Sequence, residues 1–494
     1  MESNKLQIQY YDDVYLKIDC ERGIARELSD FFTFKVPNYQ YTPAYKNKIW
    51  DGQIRLFNLH KQIIYLGLFD YIIQFAKDRN YKVEVGEFPV TQNNVSTENV
   101  RDYLKEGLRI PFNPYEHQVN AITTSINRNR CLLLSPTGSG KSLMIYALVR
   151  YYLSNIPEDK KVLVIVPTTG LVSQMYSDFG EYSTKSNWDV EKNCHTIFSG
   201  KDKMTDKRVV ISTWQSIYKL NEKYFQQYHA VFGDECHLFK AKSLTSIMTK
   251  LKDCPYRIGT TGTLDDSMTH KLVIEGLFGR VYNTTSTKEL MEKELLSELK
   301  IDCIILKYSP EEIQETKRVK YNEEIKWILN NKKRNDFLVD LSFRIKGNTL
   351  ILFNYVQEHG IPLFESIKKS CVDKKVFLIH GKTEVYQREE IRNILEKEKN
   401  AILVASYGTC STGINIRNIN NIVFASPSRS VIRVLQSIGR GLRKTETKSK
   451  VKLYDISDDL RYKKYVNHTY RHLKDRIKIY ERENFEYSPV LIQL

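Results

Sequence analysis

The sequence predicts an α/β protein in which two parallel-sheet domains follow one another behind a small N-terminal α+β domain. Three observations carry this. The chain has 494 residues, more than one core usually serves, since domains hold roughly 100–200 residues. From about residue 108, unbroken apolar runs alternate with helical stretches, at 131–134, 162–166, 209–211 and 231–232. Runs of that length suit strands covered on both faces. The alternation restarts at 349–353 and continues at 376–379, 401–405, 422–425 and 451–454.

Taken in order, residues 1–100 are dense in aromatics and read as strand-rich, and a polar linker opens at Ser96. The first parallel-sheet domain is expected over 108–285 and the second over 295–460, with a polar, helix-like segment at 287–300 leading into the latter. Residues 461–494 are charged and helical at first, then aromatic, and are expected to pack on the second domain.

Composition narrows the function. There are 75 Lys and Arg against 59 Asp and Glu, a formal charge of +16, which favours a polyanionic partner, nucleic acid first. None of the eight cysteines forms a CxxC pair, so neither a zinc site nor a disulfide framework is indicated and a reducing compartment fits. The N-terminus lacks the apolar core of a signal peptide. No apolar run reaches about 18 residues, so no membrane span is expected.

The chemistry concentrates in three segments. Residues 135–142 follow an apolar run and precede a helical one, the context of a phosphate-cradling loop. Thr137, Gly138, Ser139 and Gly140 would offer backbone N–H groups to phosphates at a helix N-terminus. Lys141 would neutralise β/γ charge and the Ser142 hydroxyl would ligate Mg²⁺. Asp234 emerges from a strand end, where a carboxylate can hold Mg²⁺, partly through water, and Glu235 beside it can polarise an attacking water. An acidic helix cap is the other reading of Asp234. Gln436, Arg440 and Arg443 lie on one helical face and would bring positive charge to a γ-phosphate.

These segments, in this order and spacing, resemble superfamily 2 helicases over about 350 residues. The resemblance implies two RecA-like motor domains, with ATP and Mg²⁺ as cofactors. It makes Gln118, in Tyr115-Glu116-His117-Gln118, the adenine reader. It places Thr168, Thr169 and Gly170 in motif Ia, Thr261 and Thr263 in the coupling motif III, Phe353 in motif IV, and Gly408, Thr412 and Gly413 around motif V. Thr168, Thr169, Gly170, Phe353, Gly408 and Thr412 are thereby expected to hold the tracked strand, and Gly413 the nucleotide. Motif II reads Asp-Glu-Cys-His and motif III Thr-Gly-Thr, which argues against the DEAD-box RNA group.

The first hundred residues, among them 30–34, 50–56 and 66–68, resemble the N-terminal domain of T-even phage recombination helicases, as does the tail at 464–477. That likeness implies unwinding and branch migration of forked and four-way DNA, fork reversal, removal of RNA from RNA–DNA hybrids, 3′→5′ movement, and residence in the cytoplasm of an infected bacterial host. A monomer is expected. In this domain Lys46, Lys48 and Arg55 could reach phosphates, and Trp50 could stack on an exposed base or fill a small core. The alternatives are an RNA helicase, the motor of a restriction enzyme, and an annealing or junction clamp gated by ATP.

Overall fold

The computed structural model describes residues 4–89, 93–198, 200–239, 242–264, 268–413, 416, 418–426, 438–439, 442 and 450–494. Period-two alternation builds the N-terminal sheet. Strands β1 (Lys5–Tyr10) and β2 (Tyr15–Cys20) pair antiparallel and send Leu6, Ile8, Leu16 and Ile18 into a fully buried face, as the pleat dictates. Their turn is set by Asp12, whose Oδ1 accepts from the Val14 and Tyr15 N–H groups at 2.8 Å. Strands β3 (Thr33–Lys35) and β4 (Gln53–Arg55) form a separate antiparallel ladder. With β5 (Phe57–Asn58), β6 (Ile63–Tyr65) and β7 (Lys82–Val85) the main sheet runs β5-β6-β2-β1-β7. Helices Arg22–Phe31 and Phe69–Asp78 cover it with Ile24, Leu28, Ile72 and Phe75.

The second sheet comprises β8 (Arg130–Leu134), β9 (Lys161–Val166), β10 (Cys194–Ile197), β11 (Val209–Thr213), β12 (Tyr228–Gly233), β13 (Tyr256–Thr261) and β14 (Val281–Asn283). Its order is β10-β11-β9-β12-β13-β8-β14, with every neighbour parallel. The apolar runs read from sequence are β8, β9, β11 and β12; β10, β13 and β14 carry no such run. Strand β13 includes Arg257, fully buried because its guanidinium donates to the carbonyls of Met248 (3.1 Å), Cys254 (3.0 Å) and Leu251. Three hydrogen bonds offset the desolvation of that charge, and they hide the strand from an apolarity criterion.

The N-terminal domain and this sheet share one core and form one compact unit. Helix Met268–Phe278 is the common wall. Gly67 lies so near it that a Cβ would stand 2.1 Å from the Glu275 carbonyl oxygen. A Cβ on Gly276 would meet the Tyr65 side chain at 2.9 Å. Tyr71 donates to the Glu275 carboxylate, and the Arg280 guanidinium lies 4.5 Å from the centre of the Tyr71 ring. Asp13 takes part from the far side: its N–H donates to the Lys252 carbonyl at 3.0 Å and its carbonyl accepts from Arg130.

The third sheet comprises β15 (Glu298–Lys307), β16 (Thr349–Phe353), β17 (Val376–Ile379), β18 (Ile402–Ser406), β19 (Asn421–Phe424), β20 (Lys450–Asp459) and β21 (Glu486–Gln493). It runs β17-β18-β16-β19-β20-β15-β21, again wholly parallel. The segment expected as helix over 287–300 is helical only at Thr287–Glu292; its end belongs to β15, whose Leu299 and Ile301 alternate inward. The tail supplies helix His468–Arg482 and then β21, an edge strand rather than helix alone. Arg476 and Asp455, both buried, pair at 2.8 Å, and Tyr480 donates to the same carboxylate. The buried Glu324 carboxylate accepts from the His468 and Thr469 N–H groups, an acidic cap at a helix N-terminus. No helix among the described residues is long and apolar enough to cross a membrane.

Candidate nucleotide and nucleic-acid sites

Strand β8 delivers the loop at 135–140 to the start of helix Lys141–Asn155. Ser135 is fixed on both sides: its N–H donates to the Thr261 carbonyl at 2.8 Å, and its hydroxyl accepts from Thr284 at 2.9 Å. Gly138 and Gly140 have φ of +88° and +84°, the left-handed region that a side chain resists. A Cβ on Gly140 would also lie 2.2 Å from Gln118 Nε2, so the expected base reader abuts the loop. The Gln118 amide oxygen accepts from the Tyr115 N–H at 2.9 Å, which orients it. Ser139 closes the turn by donating to the Pro136 carbonyl at 2.7 Å, and Thr137 is half-buried. Lys141 Nζ donates back to the Ser135 carbonyl at 3.2 Å. Ser142 Oγ lies 2.8 Å from the Tyr182 hydroxyl, a partner absent from the expected set. A four-turn helix opening on such a loop presents its first N–H groups to an anion.

Asp234 follows β12 and is anchored through its own N–H to the Ile165 carbonyl at 2.9 Å. Its carboxylate is buried and accepts from Thr260 Oγ1 at 2.8 Å. Burial, then the neighbouring Glu235 charge, push it up to about 6, while Lys141 pulls the other way. The donor set expected for Mg²⁺, the Asp234 carboxylate and the Ser142 hydroxyl, consists of oxygen atoms, which fits that hard cation. Glu235 sits at φ +53°, strained for a non-glycine residue, as functional positions often are.

A buried polar chain leads away from Glu235. His237 Nδ1 is 3.3 Å from Glu235 Oε2 and 3.1 Å from Thr261 Oγ1. Thr261 donates to the Thr263 carbonyl at 2.9 Å. The two threonines expected to relay nucleotide state are thus joined to the acidic pair through His237, which was not among the expected site residues. Its place as fourth residue of Asp-Glu-Cys-His was the available signal. Cys236 departs from the family pattern for a packing reason: a Cβ on Gly233 or Gly259 would meet its sulfur at 3.0 or 2.7 Å, so the thiol fills space that two glycines leave.

The expected nucleic-acid contacts separate into three groups. Thr168 caps helix Thr169–Tyr182, accepting from the Leu171 N–H at 3.3 Å, and leaves Thr169 and Gly170 exposed in the first turn. In the third sheet's domain Ser406 does the same at the end of β18, accepting from the Thr409 N–H at 3.3 Å, and Gly408 is exposed. The backbone of Thr412 and Gly413 lies in helix Tyr407–Gly413; the Thr412 side chain is outside the described residues, as are Gln436, Arg440 and Arg443. Phe353 requires correction. It is fully buried in an apolar cluster, and a Cβ on Gly360 would meet its ring at 2.4 Å; a ring enclosed that way cannot touch a strand. In the N-terminal domain Lys46 and Lys48 are exposed. Arg55 is engaged by Asp51 at 2.5 Å, and half-buried Trp50 donates its indole N–H to the Gln53 carbonyl at 2.8 Å.

Comparison with known proteins accords with this architecture. Residues 5–86 match the family described as DNA helicase UvsW, N-terminal; residues 111–266 match the type III restriction enzyme res subunit; residues 332–445 match the helicase conserved C-terminal domain. The ATP-dependent DNA helicase uvsW of Enterobacteria phage T4 is 33% identical, across 99% of this chain and 100% of that one. A putative helicase of a Sulfolobus islandicus filamentous virus is 24% identical, across 70% and 64%. The crystal structure of T4 UvsW superposes with TM-score 0.52 at 31% identity, covering 99% of each chain. A fragment of a putative HsdR subunit of a type I restriction enzyme from Vibrio vulnificus gives 0.57 at 17% identity, over 80% of this chain and 71% of that one, a likeness of fold.

Proposed function

The chain belongs to the UvsW family of superfamily 2 ATP-dependent DNA helicases, and from that premise we propose that it branch-migrates forked and four-way DNA, moving 3′→5′ and clearing RNA from RNA–DNA hybrids. The single observation that carries the reading is the N-terminal domain of UvsW type built into the core of the domain that bears the phosphate loop. A duplex gripped by residues 5–86 would be held in fixed relation to the site of hydrolysis.

In this reading the loop at 137–140 and Lys141 bind the phosphates and Gln118 reads the base. Ser142 and Asp234 would hold Mg²⁺, which supplies charge neutralisation to the phosphates when bound. The oxygen donors of that pair fit such a cation. Glu235 orients water, and its contact with His237 carries the state of the site to Thr261 and Thr263. Gln436, Arg440, Arg443 and Gly413 keep the nucleotide roles expected from sequence. Thr169, Gly170 and Gly408 offer exposed N–H and hydroxyl donors to phosphates, which is sequence-independent gripping. The protein works as a monomer in the cytoplasm of an infected bacterium.

ATP hydrolysis measured together with strand movement tests this, on single strands, linear duplex, a fork, a mobile four-way junction and an RNA–DNA hybrid. Junction rearrangement that requires hydrolysable ATP is expected. Robust hydrolysis without rearrangement would overturn branch migration and leave a translocase or clamp.

A further inference from the structure

The turn at 47–50 presents an isoleucine to solvent on a rigid frame. Thr42 caps helix Pro43–Lys46 with Pro43 in its first turn. The chain then reverses at Lys48, φ +57°, and the N–H groups of Ile49 and Trp50 both donate to the Ala44 carbonyl, at 2.9 and 3.2 Å. The indole bond of Trp50 holds the far side. Tyr39 meets Tyr45 edge-on at 4.7 Å and packs where a Cβ on Gly52, φ +80°, would otherwise stand. On this frame Ile49 is 79% exposed and Tyr41 is 69% exposed. The Ile49 side chain is therefore held out from a hydrogen-bonded turn and contributes to no core.

Charge says what covers it. Lys46 and Lys48 precede Ile49 in the same turn, both exposed and with no carboxylate partner among the described residues. Across 35–55 four cations face one acid, Asp51, and that acid is occupied by Arg55. The same side chains border one open cleft with Trp50. An apolar tip that shares a cleft with two exposed lysines is the pattern by which proteins insert wedges at base steps, with lysines placing the backbone.

We propose that Ile49 is the contact for the base pair left unstacked at a DNA branch point, with Lys46 and Lys48 seating the adjoining phosphates. The proposal rests on the branched-DNA reading above and assigns the apolar contact to Ile49 in place of Trp50, whose polar edge is committed to the chain.

The test uses a four-way junction carrying 2-aminopurine at the branch nucleotide, titrated without ATP into the full chain. Wild type is expected to raise the fluorescence at least twofold. Ile49→Ser should abolish that rise yet bind linear duplex within about twofold of wild type, and Ile49→Leu should restore it. Lys46→Gln with Lys48→Gln should weaken every DNA and flatten the salt dependence by about 2 in log–log slope. An unchanged signal with Ile49→Ser, or no signal from wild type on a bound junction, overturns the proposal. So does loss of self-association in Ile49→Ser with the DNA signal intact, which would mark a protein contact. Strand rearrangement with ATP, scored separately, decides the broader reading: rearrangement without a branch signal sinks only the Ile49 contact.

Discussion

Tyr71 donates its hydroxyl hydrogen to Glu275 across 2.7 Å, tying the N-terminal domain to the helix that follows motif III. Glu275 is buried and its other oxygen accepts from the Val281 N–H at 3.1 Å, so both carboxylate oxygens are engaged. Tyr71→Phe removes one donor, leaves a buried carboxylate oxygen unsatisfied, and should lower stability by about 1–3 kcal/mol, the cost of such an orphaned group. A shift of the urea midpoint at unchanged slope checks this. An unmoved midpoint would mean that the shared apolar core alone holds the two domains together.

Lys141→Ala should reduce ATP hydrolysis to background while leaving DNA affinity within a few fold. Lys141 donates to the loop and its charge acts on Asp234, whereas the proposed DNA contacts lie at other helix ends and in the N-terminal domain. Paired hydrolysis and anisotropy measurements separate the two; equal loss of both would contradict that division.

Asp234 makes stability depend on pH in an unusual direction. Its carboxyl stands at about 6 in the fold against 3.8 when free, so between those values the folded chain holds a proton that the unfolded chain releases. The ionised form weakens the fold above pH 6, and the weakening is relieved as pH falls through 6 towards 3.8. The gap corresponds to about 3 kcal/mol. Asp234→Asn keeps the acceptor for Thr260 and should raise the melting temperature at pH 7.5 while flattening its dependence down to pH 5. Wild-type hydrolysis should decline over the same interval. A variant no more stable than wild type at pH 7.5 would show the charge to be compensated already.

Phe353 is the side chain whose role the structure reverses. Phe353→Ala should cost about 3–5 kcal/mol by opening a cavity, and Phe353→Leu should fold and bind DNA as wild type does. Weakened DNA binding by a stably folded Phe353→Leu would restore it as a contact.

Asp455 and Arg476 form a fully buried pair that fastens helix His468–Arg482 to β20. Asp455→Asn leaves a buried guanidinium without its counter-charge and should cost about 3–5 kcal/mol. Thermal unfolding, with hydrogen exchange of the helix, would register it; equal protection in the variant would refute the fastening.

Much of this was legible in the residues because parallel strands buried on both faces announce themselves as apolar runs, as 131–134 and 162–166 do. Strand β13 was not, because Arg257 is solvated by carbonyls that only the fold brings together. Strand β15 was misread for a related reason: Glu298, Lys300 and Asp302 alternate with Leu299 and Ile301, and the polar half of that alternation resembled a helix surface. The phosphate loop and acidic pair were visible because their chemistry is contiguous in sequence. Partners that come from afar were not: Tyr182 reaches Ser142 from 40 positions away and His237 meets Thr261 from 24.

The common wall of helix Met268–Phe278 bears on how such proteins can exchange parts. Kinship sees a module at 5–86 and another beginning at 111, yet Gly67 and Gly276 fit only each other's surroundings. A recombinant that took the first module alone from a cousin would inherit half a lock. Residues 1–135 and 140–284 cluster as one compact unit, so a cassette that kept this lock whole would be larger than the module that sequence likeness marks.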